Sequence, residues 1–228
     1  MKANVPVHLG LILDGNRRWA KAQALPSLEG HRKGYENLKT IGIAAIERGV
    51  KYVSAYVFST ENWNRSQEEV TYLMKLLLWV AKHEVKELHK HNIRLRLAGS
   101  RERLSPEILK AINNAETKTA GNTAGTLILC LNYGGHQEIV DAVNTIITQK
   151  PTVPVSVEQF ADYLYTPDVP PVDLLLRTSG EQRLSNFMLW RAAYSELMFV
   201  DKHWPDFSVA DLDAALEEYA GRQRRFGS

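Results

Sequence analysis

The sequence predicts an α/β fold: one domain, residues 1–228, on a mostly parallel six-stranded sheet flanked by helices. Two observations carry this expectation. Six short apolar runs (VHLGLIL, YVSAYVF, IRLRLAG, TLILCLN, VDLLLR and ELMFV) are rich in leucine or β-branched residues and end in turn formers. Longer segments of helical period separate them, and such alternation is the pattern of a doubly wound sheet. A chain of this length buries roughly 70% of its extended-chain surface, enough for one core.

The elements follow in order. The first run ends at Asp14 and leads into DGNRRWA. Tyr35, Leu38, Ile41, Ala45 and Ile46 recur at near-helical spacing, with Gly49 as the stop. After YVSAYVF, a capping box from Ser66 to Glu69 opens one long helix. Val70, Leu73, Met74, Leu77, Val80, Ala81, Val85 and Leu88 form its broad apolar face. Ser105 with Pro106, Ser156 with Gln159, and Ser208 with Asp211 open three further helices. The proline-rich passages near Pro151 and Pro170 read as loops.

Composition excludes several classes. With 28 Lys+Arg against 26 Asp+Glu, the net charge of +2 is too near balance for nucleic-acid binding by bulk charge. Cys130, the only cysteine, lies in an apolar run, which excludes an intrachain disulfide or a cysteine metal cluster and fits a reducing cytoplasm. MKANVPVHLG lacks the apolar stretch of a signal peptide, and no run of about 18 apolar residues suggests a membrane span.

Ligand sites in doubly wound sheets lie at the carboxyl ends of strands. Asp14, Ser59-Thr60-Glu61-Asn62, Asn132-Tyr133 and Arg177 all fall at such ends, so one sheet edge gathers them. Asp14 suits Mg²⁺, while Gly15, the amides of the next helix and Arg17 or Arg18 suit phosphate oxygens. The plain alternative is a helix-capping aspartate beside exposed arginines. DGNRRW supplies neither a dinucleotide GxGxxG nor, with Ile12 before Leu13, the paired aspartates of an aspartyl phosphatase. FSTENWNRS suits a ligand with an apolar body and a polar head, although Trp63 alone reads equally as a core plug. His31 and Arg32 add cations. Arg177, Arg183 and Ser185 surround a Ser-Gly turn, and several arginines held together call for an anion. Glu196 is the best second carboxylate for a metal. The residues thus read as a Mg²⁺-dependent site for two diphosphates with apolar walls.

DGNRRWA, GHRKG, FSTENWNR, NYGG and RTSGEQRLSNFMLW…SEL, in this order, closely resemble the cis-prenyltransferase family, in particular the bacterial undecaprenyl diphosphate synthases. The resemblance runs from about His8 to Gly227. It implies a six-stranded, mainly parallel sheet, a homodimer, and repeated addition of isopentenyl diphosphate to an allylic diphosphate such as farnesyl diphosphate, each new double bond being cis. Carried over by position, Asp14 resembles the aspartate that engages Mg²⁺ and the allylic diphosphate. Gly15, Asn16, Arg17, Arg18, Trp19 and His31 match the allylic site. Ser59, Thr60, Glu61, Trp63 and Arg65 match the substrate-contacting loop, and Asn62 a residue that assists proton removal. Arg177, Arg183, Leu184 and Ser185 resemble the isopentenyl diphosphate pocket, Glu196 the second metal carboxylate, and Arg225-Phe226-Gly227 an element that completes a partner's site.

The resemblance further implies a cytoplasmic enzyme peripheral to the inner face of the membrane, a product that associates with the membrane, and a medium-chain carrier lipid for cell-envelope glycan assembly. The helix YLMKLLLWVAKHEVKELH, with Val57, is the expected wall of the product tunnel under this resemblance, although such a face is by itself more often core. Two positions depart from the family pattern. Ser27 stands where many relatives carry arginine, so that phosphate contact is either missing or supplied by a neighbour such as Arg32 or Arg17, and Gln182 stands where some carry histidine. The rivals are a trans-prenyltransferase, which needs DDxxD boxes while this chain has no adjacent aspartates, and a non-catalytic or short-chain subunit acting with a partner.

Overall fold

The central strands serve two apolar layers, and alternate side chains decide which. The computed structural model describes residues 5–151 and 153–222. The strands are β1 (His8–Ile12), β2 (Tyr52–Ser59), β3 (Ile93–Ala98), β4 (Gly125–Tyr133), β5 (Leu174–Thr178) and β6 (Glu196–Val200). All pair in parallel, in the order β3-β4-β2-β1-β5-β6. Leu9, Leu11, Val53, Leu127, Leu174 and Leu176 enter one core layer, whereas Ile12, Ile128, Cys130 and Leu175 enter the other. This period of two on a doubly covered sheet explains the near-continuous apolar runs of the sequence.

The helices are α1 (Asn16–Ala22), α2 (Ser27–Glu47), α3 (Gln67–His83), α4 (Val85–Lys90), α5 (Pro106–Thr119), α6 (Gly135–Gln149), α7 (Val157–Ala161) and α8 (Val209–Gly221). Leu38 and Ile41 of α2, Val85 and Leu88 of α4, and Leu212 and Leu216 of α8 share the first layer. Val169, Val172, Phe187 and Met188 cover the second. Ser105, Ser156 and Ser208 cap α5, α7 and α8 as expected, each hydroxyl accepting the backbone N–H three residues on.

Two expectations need correction. The long helix from Ser66 is two helices: it bends at Glu84 (φ −91°, ψ −8°), whose carboxylate accepts Lys39 Nζ at 3.0 Å. The bend lets Val85 and Leu88 pack on the sheet, while only Val70 and Ala81 of α3 are buried. The capping box is half made. Ser66 Oγ accepts Glu69 N–H at 3.3 Å, but the Glu69 carboxylate turns to His31 and Arg65. A guanidinium and an imidazole together outcompete one backbone N–H.

His8 ties β1 to the covering loop. Its Nδ1–H donates to the Pro170 carbonyl (2.7 Å), and Nε2 accepts from Ser54 Oγ (2.8 Å). The ring is fully buried, and burial drives its pKa down to about 4. The unfolded chain takes up this proton near pH 6.5, so it binds more protons than the folded chain below that pH. Stability from neutral His8 is therefore complete above about pH 6.5 and falls by about 3 kcal/mol as pH drops to about 4. Urea unfolding at a series of pH values checks this; in His8→Gln the part of the slope due to His8 is expected to vanish.

Candidate active site

The turn after β1 is held from three sides. The Asp14 carbonyl accepts Thr178 Oγ1 at 2.7 Å and the Trp204 N–H at 3.0 Å. Gly15 has φ +102°, and a Cβ there would stand 2.7 Å from Ser179 Oγ and 2.8 Å from His203 Nδ1, which bond each other at 2.7 Å. Only glycine combines this backbone with this space. The Asp14 side chain is thereby aimed at two arginines. Oδ2 accepts Arg177 Nη2 at 2.8 Å, and Oδ1 lies 3.0 Å from Arg18 Nη2. Burial alone would raise the Asp14 pKa, but hydrogen bonds and charge from Arg177 and Arg18 outweigh it and hold the carboxyl below its usual range.

Asp14, Gly15, Asn16, Arg17 and Arg18 line an open cleft of about 690 Å³, joined by Lys21, Ser27, His31 and Arg65. Glu69 organises its inner wall. Its carboxylate accepts Arg65 Nη1 at 2.8 Å and His31 Nε2 at 3.0 Å, and Arg17 Nη1 lies 3.7 Å away. Burial lowers the His31 pKa more than Glu69 raises it, so the ring is neutral near pH 7. Ser27 does line the cleft, but Arg32 does not replace it. Arg32 is held by Glu29 and Glu36 at 2.9 and 2.7 Å, and the cations that line the cleft with Arg17 are Arg18, Lys21 and Arg65.

A second cationic group sits across Asp14. Arg177 is 4% exposed; its Nη1 donates to Ser185 Oγ at 2.8 Å and to the Arg183 carbonyl, while its buried Nε has no partner. Glu181 bridges Arg18, at 3.2 Å, and Arg183. Ser179, Ser185, Asn186 and Met188 all have positive φ, a concentration of left-handed residues that local packing must hold. Leu184 packs against the apolar layer of Phe187. Asn186 is the residue that sequence reading does not reach. It donates to Glu61 Oε1 at 2.9 Å and accepts the His136 and Gly135 N–H groups at 2.9 and 2.7 Å, joining this loop to Thr60–Asn64 and NYGG.

Ser59 and Asn62 close a reciprocal capping box around the Thr60–Asn64 turn: Asn62 Oδ1 accepts Ser59 N–H at 3.1 Å. Trp63 stands behind this turn. Its Nε1–H donates to Asn132 Oδ1 at 2.7 Å, and Arg103 lies 4.3 Å above its ring. Trp19 likewise points away, donating to Asp206 at 2.8 Å.

Glu196 does not join Asp14 within the chain. It begins β6 and is in register with Leu174 and hence Leu9, whereas Asp14 lies five residues further along. The two are therefore about 16 Å apart along the strand direction alone. Parallel strands put a strand's first residue at the sheet edge opposite the site, where Glu196 accepts Arg222 at 2.9 Å. Arg225-Phe226-Gly227 lies outside the described residues.

From the cleft, an apolar tunnel of about 150 Å³ runs between α2, α3 and the sheet. Asn16, His31, Asn62 and Arg65 stand at its mouth. Tyr35, Leu38, Val57, Leu77, Val80 and Leu129 wall it, as expected for Val57 and the helix. Tyr35, Leu38, Leu77, Val80 and Leu129 also border a narrower space of about 30 Å³ that reaches Lys39 and Glu84.

A cationic cleft thus opens into an apolar tunnel at the carboxyl ends of a parallel sheet, the edge at which such folds hold their ligands. The comparisons agree. The Prenyltransf family model, described as undecaprenyl diphosphate synthase, matches residues 12–227. Isoprenyl transferase of Thermotoga maritima is 46% identical over 226 residues, covering 98% of this chain and 97% of the relative. That of Chromobacterium violaceum is 48% identical over 222 residues, covering 97% and 88%. Lavandulyl diphosphate synthase from Lavandula x intermedia, solved with dimethylallyl diphosphate, superposes with a TM-score of 0.94 at 36% identity over 98% of this chain and 99% of that one. A probable undecaprenyl diphosphate synthase from Campylobacter jejuni gives 0.83 at 29% identity over 99% and 100%. The chain belongs to the cis-prenyltransferase family, that of the undecaprenyl diphosphate synthases, and is a prenyltransferase.

Gly15→Ala is expected to destabilise the fold by roughly 2 to 3 kcal/mol, because it adds a left-handed penalty and displaces Ser179 or His203. Urea unfolding checks this.

Proposed function

We propose that this enzyme condenses isopentenyl diphosphate repeatedly with an allylic diphosphate, with farnesyl diphosphate as the primer, to make a medium-chain cis-polyprenyl diphosphate. The single observation that carries the reading is the continuity of the cleft with the tunnel through Asn16, His31 and Arg65. One end neutralises a diphosphate, and the other shelters only hydrocarbon. That lavandulyl diphosphate synthase is solved with an allylic diphosphate supports the same ligand class here.

Among the described residues no group of three or more His, Cys, Asp or Glu can hold a metal by side chains alone. The donor set at Asp14, one carboxylate beside a phosphate-sized cationic cleft, suits Mg²⁺, which takes one or two carboxylates, substrate phosphates and water. Asp14 would hold it there, and the ion when bound adds charge neutralisation at the leaving group. Arg17, Arg18, Arg65 and neutral His31 bind the allylic diphosphate as the carbon–oxygen bond breaks. Arg183 and Ser185, with Arg177 behind them, hold the isopentenyl diphosphate whose double bond forms the new carbon–carbon bond. A proton then leaves. With Oδ1 held by Ser59, Asn62 serves as a donor that orients substrate, and Asp14 or a phosphate oxygen accepts the proton.

Exposed Val140, Val143 and Ile147 on α6, with Tyr194 and Leu197 near edge strand β6, support a homodimer. No helix among the described residues is long and apolar enough to cross a membrane. We place the enzyme in the cytoplasm, with residues 1–228 as one catalytic domain and a membrane-associated product that serves as a cell-envelope carrier lipid. The narrow far end of the tunnel favours one second reading, a short-chain product.

Purified protein, labelled isopentenyl diphosphate, farnesyl diphosphate and Mg²⁺ are expected to give a product ladder ending at a defined length, with none in EDTA. Absence of incorporation by folded protein would overturn the proposal. Asp14→Ala is expected to lower turnover by roughly a thousandfold. Tyr35→Ala, which opens the junction of tunnel and far end, is expected to lengthen the final product, and Leu77→Trp to shorten it; chromatography of dephosphorylated products reads both.

A further inference from the structure

Away from the tunnel, α3 turns a cationic face outward. Lys75, Trp79 and Lys82 follow at spacings of four and three on one stripe of α3, and Lys86 stands beyond the bend on α4. All four are exposed, Trp79 by 46%, and its ring stacks on His83 with centroids 5.1 Å apart. Leu73, Leu76 and Leu77 turn inward to the tunnel and Leu78 packs on the neighbouring apolar cluster, so Trp79 is the large apolar side chain that α3 leaves exposed.

Between α3–α4 and α5 lies an open groove of about 440 Å³ lined by Lys82, Lys86, Lys110 and Lys118. Glu107, the one acid on it, is bound by Lys82 at 2.7 Å. Lys86, Lys110 and Lys118 make no ion pair among the described residues. Ala81 and Val85 line both this groove and the far end of the tunnel, so a single layer of small side chains separates them.

A groove with unpaired ammonium groups, beside a helix that exposes a tryptophan, suits the interfacial layer of a bilayer, where lysines meet anionic headgroups and indole settles at headgroup depth. A nucleic acid or acidic protein would use the lysines but gives less reason for an exposed indole on the helix beside them. We propose that the α3–α5 face docks the enzyme on an anionic phospholipid bilayer, with Trp79 among the headgroups and Lys86, Lys110 and Lys118 on their phosphates. Its value to catalysis rests on the proposed function: a tail that reaches Ala81 and Val85 ends next to the membrane that receives it.

Cosedimentation of the full-length protein with phosphatidylcholine vesicles, with and without phosphatidylglycerol, tests this. Binding is expected only with phosphatidylglycerol and is expected to weaken in high salt. The triple variant Lys86→Glu, Lys110→Glu and Lys118→Glu should bind at least tenfold more weakly, and Trp79→Ser should also lose affinity. Lys150→Glu, at the end of α6, should bind as the wild type does. Condensation in vesicle-free buffer should be unchanged in the triple variant, which shows that it folds. Equal binding of triple variant and wild type, equal or absent binding to both vesicle types, or capture by an acidic peptide without vesicle binding would overturn the proposal. A wild type that binds vesicles but condenses nothing would count against the proposed function and leave the docking face standing.

Discussion

A carboxylate held between two guanidinium groups organises this molecule. Asp14 lies at the end of a central strand, with Arg177 from the neighbouring strand on one oxygen and Arg18 from the following helix on the other. A nearly buried arginine is costly to hold without an anion, and an acid in a cationic cleft stays ionised. Each therefore fixes the other. The Thr178 hydroxyl and the Trp204 amide lock the same turn through its backbone, which leaves Asp14 little freedom to drift. The two cationic groups, one around His31 and Arg65 and one around Arg183 and Ser185, then face each other across a single acid.

The apolar half of the site comes from incomplete packing. α2 and the sheet form a conventional layer, and α4 joins it through Val85 and Leu88. α3 does not, because the bend at Glu84 carries its first half away from the sheet and leaves a space that leucines line without filling. The Lys39–Glu84 pair sits at that bend, at the closed end of the space. A straight helix packed along its whole length would remove that space.

All six strands and the capped starts of α5, α7 and α8 were legible in the sequence, because buried parallel strands and serine caps leave local signals. The gathering of Asp14, Asn62 and Arg177 at one sheet edge followed from topology alone. The bend at Glu84 was not legible: the apolar period continues through it, and the partner of its carboxylate, Lys39, lies 45 residues away. Glu69 reads locally as a cap but serves His31 and Arg65 instead. Glu196 shows the limit of motif reasoning, since strand direction, invisible in a motif, puts it at the far edge of the sheet. Trp63 belongs to the Thr60–Asn64 turn in sequence, yet packs behind it on Asn132.

The measurement that tests this account most directly is a crystal structure of the protein with Mg²⁺ and an unreactive thio analogue of farnesyl diphosphate. The account predicts the diphosphate against Arg17, Arg18 and Arg65 beside Asp14, with the prenyl tail between α2 and α3 pointing toward Tyr35. A diphosphate bound elsewhere, or a tail lying outside the space beneath α3, would contradict it.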